Sequence, residues 1–144
     1  MTGTDIPARR DRWLRAVGYG LLAEIATIVT IIAIVTAYRY LFARGQSESD
    51  YAAFADRVGA TVGILGGTVY TFLFAQLLMK RLTSRFVAHG IVVAGTAVAF
   101  SVAGSIAGHR GVPTGYLIAS VLKLVAGALA GYLAARRFVP PVGA

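Results

Sequence analysis

Apolar residues fall into four long blocks, Val17–Ala37, Val58–Met79, Phe86–Gly108 and Val112–Ala135, of 21, 22, 23 and 24 residues. About 20 predominantly apolar residues suffice for a helix to cross a hydrocarbon core, so each block is long enough. Polar residues collect between the blocks, and no period-two alternation runs through them, which argues against a membrane β-barrel. The pattern predicts an all-α integral membrane protein, a compact antiparallel four-transmembrane-helix bundle. It divides into a basic N-terminal tail over 1–16, a helical domain over 17–135 with spans at 17–37, 58–79, 86–108 and 112–135, and a short tail over 136–144. Met1–Pro7 and 140–144 read as frayed ends. The first block exceeds a signal-peptide core and no small-residue cleavage site comes after it, so it reads as a retained span.

Boundary residues refine the spans. Ser47, with Asp50 three positions on, resembles a capping arrangement, so the second helix should begin ahead of its apolar block. Tyr51, Phe54 and Val58 then share a stripe expected to lie along the lipid surface. Pro113 suits the first turn of the fourth helix, and Pro140 and Pro141 prevent that helix from running on.

Composition narrows the function classes. The chain is 57% hydrophobic and 14% charged, with a mean hydropathy of +0.71; soluble domains carry roughly 25% charged residues. Six acids and fourteen bases cannot cover a soluble fold of 144 residues. Soluble enzymes, nucleic-acid-binding domains, disordered chains and secreted disulfide scaffolds drop out. With no cysteine there is no thiolate metal site and no thiol nucleophile.

The net charge of +8 acts through its distribution. Arg9, Arg10, Arg12 and Arg15 precede the first block, Lys80, Arg81 and Arg85 separate the second from the third, and Arg136 and Arg137 come after the fourth. These nine bases lie on one side. Arg39, Arg44, Arg57 and Arg110 lie on the other, diluted by Glu48, Asp50 and Asp56. Bases accumulate in cytoplasmic loops, which predicts both termini inside a bacterial-type inner or plasma membrane. The nine bases are expected to touch anionic lipid headgroups, not nucleic acid.

Glycine contributes 17 residues, against a usual share of about 7%. Gly59, Gly63 and Gly67 repeat every four positions in the second block; Gly104 and Gly108 do so in the third, and Gly127 and Gly131 in the fourth. Such spacing lets helix backbones approach where lipid gives no hydrophobic drive for association. It predicts tight packing and self-association, as a homo-oligomer or within a larger membrane complex. VGILGG at 62–67 and AGALAG at 126–131 are 64 positions apart, as a duplicated hairpin would place them.

Glu24 and Lys123 are the two formally charged side chains within the blocks. A charge at mid-helix costs about 2.5–3.5 kcal/mol, so it needs a partner, water or its neutral form. Lys123 shares a small-residue stripe with Ala119, Gly127 and Gly131; Glu24 lies four residues after Gly20 and three before Thr27. Their depths, about 13 Å and 20 Å of helix from Arg15 and Arg136, put them within a lysine stem of each other. Side chains lean toward their helix N-terminus, which separates this antiparallel pair. A water, or Gln76 and Tyr70 from the second block, is expected to help bridge it.

Three function classes stay open; for the third, an enzyme acting on a lipid-borne substrate, the sequence supplies no catalytic constellation, and the other two are consistent with these features. One is an accessory or assembly subunit with a structural Glu24/Lys123 pair. The other is a small oligomeric proton-coupled transporter or channel in which Glu24 titrates. Leu22-Ala23-Glu24-Ile25, in the first of four short spans, resembles the first helix of the small multidrug resistance exporters. That resemblance implies a four-helix dimer whose membrane glutamate exchanges protons for lipophilic cations. It covers four residues; the first loop is longer, the third span lacks the family's tryptophan-glycine segment, and Lys123 adds a positive charge near a cation site.

His89 and His109 lie near opposite ends of the third block, about 30 Å apart along one helix, too far to share a metal. Both read as interfacial polar residues. No HExxH, paired aspartates or GxSxG is present, so no enzyme, metal or cofactor is expected.

Overall fold

The computed structural model describes the backbone of residues 5–108 and 114–138 and the side chains of 10–108 and 114–137. Every regular element among them is helical. Helix α1 (Asp5–Ala37) ends in a π-turn at Tyr38–Phe42; α2 (Glu48–Thr61) passes through a π-turn at Val62–Gly66 into α3 (Gly67–Met79); α4 (Phe86–Ala107) and α5 (Thr114–Phe138) complete the chain. These form four rods of 33, 32, 22 and 24 residues, each long and apolar enough to cross a membrane. Pro113, Pro140, Pro141, His109 and Arg110 lie outside the described residues, and Arg9 outside the described side chains.

Two expectations are corrected. Of the stretch Met1–Pro7 expected to be frayed, residues 5–7 are helical, because α1 already begins at Asp5; Pro7 sits in the first turn, where its missing N–H breaks no helical bond. The stripe of Tyr51 and Phe54 does not face outward. Ser47 caps α2 by accepting from the Asp50 N–H at 3.2 Å, and that start turns Tyr51 inward. Its hydroxyl donates to the Ala43 carbonyl at 2.6 Å, while Phe54 stacks on Tyr38 at 3.6 Å between ring centroids. Ring stacking and a hydroxyl partner outweigh any gain from laying the same rings on a surface.

Around the bundle, α1 packs on α3 and α4, and α5 packs on the same two helices. Helices α1 and α5 therefore face each other across a diagonal. The buried set is rich in small and polar residues, among them Ala16, Ala23, Thr27, Thr71, Ala97, Ala126 and Ala130, whereas Leu22, Val29, Ile32, Leu65, Leu117 and Val125 stand on the outside. Small residues inside and large apolar ones outside is the distribution expected where lipid is the solvent. An apolar cluster of Ala16, Ala75, Leu78, Met79, Leu82, Phe86, Val93, Ala130 and Ala134 fills one end. Leu82 and Phe86 carry the tight α3–α4 turn into it.

Glycine sets the closest approach. A Cβ on Gly127 would strike the Gly90 carbonyl and lie 2.8 Å from the Ala94 methyl; one on Gly131 would lie 2.6 Å from the Phe86 carbonyl. Helices α4 and α5 thus touch backbone to backbone. Gly20 presses on Val93 and Thr96 in the same way. Gly59, Gly63 and Gly104 have nothing within 4 Å, so packing expected of them is not made within this chain. The π-turn gives the reason for the second block: one extra residue per turn rotates the downstream helix by about 100°, taking Gly67 off the Gly59–Gly63 stripe. The two proposed repeats also differ here, since Gly127 is packed and its counterpart Gly63 is open.

Gly127→Leu should lower thermal stability in detergent by about 1–3 kcal/mol through overpacking. Gly63→Ala should leave it unchanged or raise it by up to about 1 kcal/mol, alanine being the better helix former. Equal losses at both positions would contradict this packing.

Candidate functional site

The polar centre is assembled from four helices. Glu24 projects from α1, Gly67 opens α3, Ser101 comes from α4 and Lys123 from α5. The Lys123 ammonium donates to Glu24 Oε2 at 2.6 Å and to Ser101 Oγ at 2.9 Å. Ser101 in turn donates to Glu24 Oε1 at 2.6 Å. Both carboxylate oxygens are occupied, and the serine hydroxyl works as donor and acceptor at once. Glu24 is 7% exposed and Lys123 3%, so the pair is shielded from whatever surrounds the bundle.

The pair spans the diagonal, which explains the chemistry at each corner. Helices α1 and α5 scarcely touch, so the gap needs a long stem, and lysine supplies it. That reach also overcomes the opposed lean of the two side chains, so no bridging water or second-block residue is required. Room comes from Gly67, where a Cβ would lie 2.7 Å from Lys123 Cε and 3.3 Å from its Nζ. Ser101 closes the third side.

Hydroxyls beside the pair are committed to their own helices. Thr27 donates to the Ala23 carbonyl at 2.9 Å and Thr71 to the Gly67 carbonyl at 2.7 Å, the back-bonding common to buried threonines. Gln76 and Tyr70 do not join the pair. Gln76 donates to the Ala130 carbonyl at 3.2 Å, and the Tyr70 hydroxyl meets Thr30 at 2.8 Å. Each ties two helices at its own level. Sequence reasoning does not single out Ser101 as a site residue, although its place on the Ala97–Ser101–Ser105 stripe puts a hydroxyl on a packed face.

The described surface includes two recesses. An apolar groove of about 570 Å³ runs along α1 from Val29 to Leu41. A polar cleft of about 210 Å³ is lined by Arg12, Trp13, Ser84, Arg85 and His89. Neither is lined by Glu24 or Lys123. His89 is not an interfacial side chain: it is 4% exposed and stacked on Trp13 at 4.3 Å. Among the described residues no three His, Cys, Asp or Glu side chains cluster as metal ligands would.

Comparison with family models, curated proteins and solved structures gave no match to this chain.

Lys123→Met should cost about 3–5 kcal/mol, because it strands a buried carboxylate. The double substitution Glu24→Met with Lys123→Met should return stability close to the parent's, since a well-packed apolar pair replaces a buried ionic one at little net cost. Chemical unfolding of the parent, the two single substitutions Glu24→Met and Lys123→Met, and the double in one detergent measures the coupling. Additive losses would show that the two side chains do not interact.

Proposed function

We propose that this protein is a small polytopic accessory or assembly subunit, embedded in a membrane with both termini on the cytoplasmic side, and that Glu24 and Lys123 lock its helices together. The observation that carries this reading is the closed Glu24–Ser101–Lys123 triangle. Its members satisfy one another, so the centre serves as a fixed strut. The outer surface is left for association. Gly59, Gly63 and Gly104 meet nothing within 4 Å, and such positions admit another helix at close range. The nine bases at one end favour that end inside and in contact with anionic headgroups.

A second reading, a small oligomeric proton-coupled transporter or channel with Glu24 as its titrating carboxylate, draws on one observation. The π-turn at Val62–Gly66 directly precedes Gly67, which faces Lys123, and π-turns recur at functional sites. In this reading Glu24→Gln abolishes proton-coupled flux in reconstituted vesicles while the protein stays folded.

Native mass measurement after mild solubilisation tests the first reading. The expected result is a stable assembly with other chains, lost in Gly59→Leu/Gly63→Leu while the subunit itself stays folded. A monomer in mild detergent, or an isolated homo-oligomer whose flux requires Glu24, would overturn it.

A further inference from the structure

Helix α1 carries a second organised face, turned away from the ion pair. Gly20, Glu24 and Thr27 point into the bundle, while Leu22, Val29, Ala33, Thr36 and Tyr40 are exposed. At 3.6 residues per turn these five share one stripe on the far side of the rod. From Val29 onward they are four, three and four positions apart, the alternation by which two helices mesh along a seam. The stripe is also hollow. Ala33, Thr36 and Ala37 form the floor of the groove of about 570 Å³, with Val29 and Ile32 at one end and Tyr40 and Leu41 at the other. The outward face of α5 is unlike it, being large at Leu117, Val121, Val125 and Leu129.

Lipid reaches only part of this groove. Trp13 is level with His89 and Glu24 with Ser101, so Ala107, which ends α4, comes level with α1 near Thr30. Leu41 then stands about 15 Å above that end. Counted from Arg15, a hydrocarbon core of about 30 Å is crossed by roughly residue 35, and a tilt of about 20° adds one residue. Acyl chains therefore cover Val29 and Ile32 but not Tyr40 and Leu41, which are 62% and 68% exposed. Large apolar groups above the acyl chains call for a protein cover. The lining residues carry no charge. The nearby arginines are engaged elsewhere: Arg39 pairs with Glu48 and lies 4.8 Å over the Tyr51 ring, and Arg44 donates to the Tyr40 carbonyl at 2.5 Å.

We propose that this groove receives a second copy of the chain, α1 packing on α1 about a two-fold axis along the membrane normal. Such an axis brings the same hollow to the same height, and each seam residue meets its own counterpart. Alanine against alanine lets the rods approach closely. Thr27, Thr30, Thr68 and Thr71 each donate to the carbonyl four residues back. Among the described residues Thr36 makes no such bond, which leaves its hydroxyl for its counterpart across the axis. Covering the exposed parts of these side chains in both copies removes on the order of 1,000 Å², the threshold of a specific interface. This pairing rests on the proposed membrane embedding and uses a different helix from Gly59 and Gly63.

The chain has no cysteine, so single thiols report without background. Full-length Ala33→Cys and Thr36→Cys proteins are reconstituted at high lipid-to-protein ratio and oxidised with copper phenanthroline. Leu117→Cys, exposed on α5 in the same half of the bundle, is the control. Disulfide-linked dimers are expected at 33 and 36 in at least about ten times the yield at 117. In the cysteine-free chain, Ala33→Phe/Ala37→Phe fills the hollow from outside the bundle and should weaken dimerisation about tenfold or more, read by single-molecule photobleaching of protein labelled at its N-terminal amine. Gly59→Leu/Gly63→Leu should leave dimerisation unchanged. Thiols at 33 and 36 that link no better than the one at 117, or parental dimerisation in a folded Ala33→Phe/Ala37→Phe, overturns the proposal and leaves the groove to lipid. A chain that does not enter vesicles at all defeats the membrane reading itself, so the two failures are told apart.

Discussion

One ion pair between helices that barely touch organises this bundle. Glu24 and Lys123 face each other across the diagonal, and every corner is shaped by the need to join them. The acid comes from α1 and the amine from α5; α4 contributes the hydroxyl that binds both, and α3 contributes the absence of a side chain. A buried ion pair gains little over apolar packing and is costly to break. Its value therefore lies in specificity: a bundle with mismatched helix order or register would strand both charges.

The remaining packing is compatible with that demand because it is built from small residues. Where α4 meets α5, Gly90, Gly127 and Gly131 bring the backbones into contact, and alanine is the commonest residue of the described interior. Such surfaces slide easily past one another, since one small side chain resembles the next. The polar ties remove this freedom. Glu24, Ser101 and Lys123 fix the centre, Gln76 fixes α3 on α5, and the Tyr70–Thr30 contact fixes α3 on α1. The π-turn before Gly67 rotates α3 so that a glycine, not a larger neighbour, meets the lysine.

Much of this is legible in the chain. Block length and hydropathy locate the four long helices to within a few residues at most ends, and the rarity of charge inside them singles out Glu24 and Lys123. The features that stay hidden do so for physical causes. Ser101 looks like any small residue on a packing stripe until its neighbours are known. A π-turn leaves no signature in the sequence, so a stripe of Gly59, Gly63 and Gly67 drawn on a regular helix continues past the point where the real one turns away. Gln76 and Tyr70 are polar residues near the right depth, but each has a nearer partner on another level. Tyr51 and His89 read as surface groups because a phenol or imidazole ring suits an interface equally well; only the facing Tyr38, Ala43 and Trp13 decide otherwise.

The chain offers an unusually clean test of its central contact, because it holds two lysines, Lys80 and Lys123, and two glutamates, Glu24 and Glu48. Glu48 and Lys80 sit at opposite ends of one 32-residue helical rod, about 48 Å apart, so they cannot be mistaken for the pair. Lysine labelled with ¹⁵N at Nζ and glutamate labelled with ¹³C at the carboxyl, incorporated into protein in lipid bilayers, permit a solid-state dipolar-recoupling measurement between them. One lysine amine strongly coupled to one glutamate carboxyl, and lost in Lys123→Met, is the predicted result. Labelled, folded protein with no amine–carboxyl coupling would contradict the account.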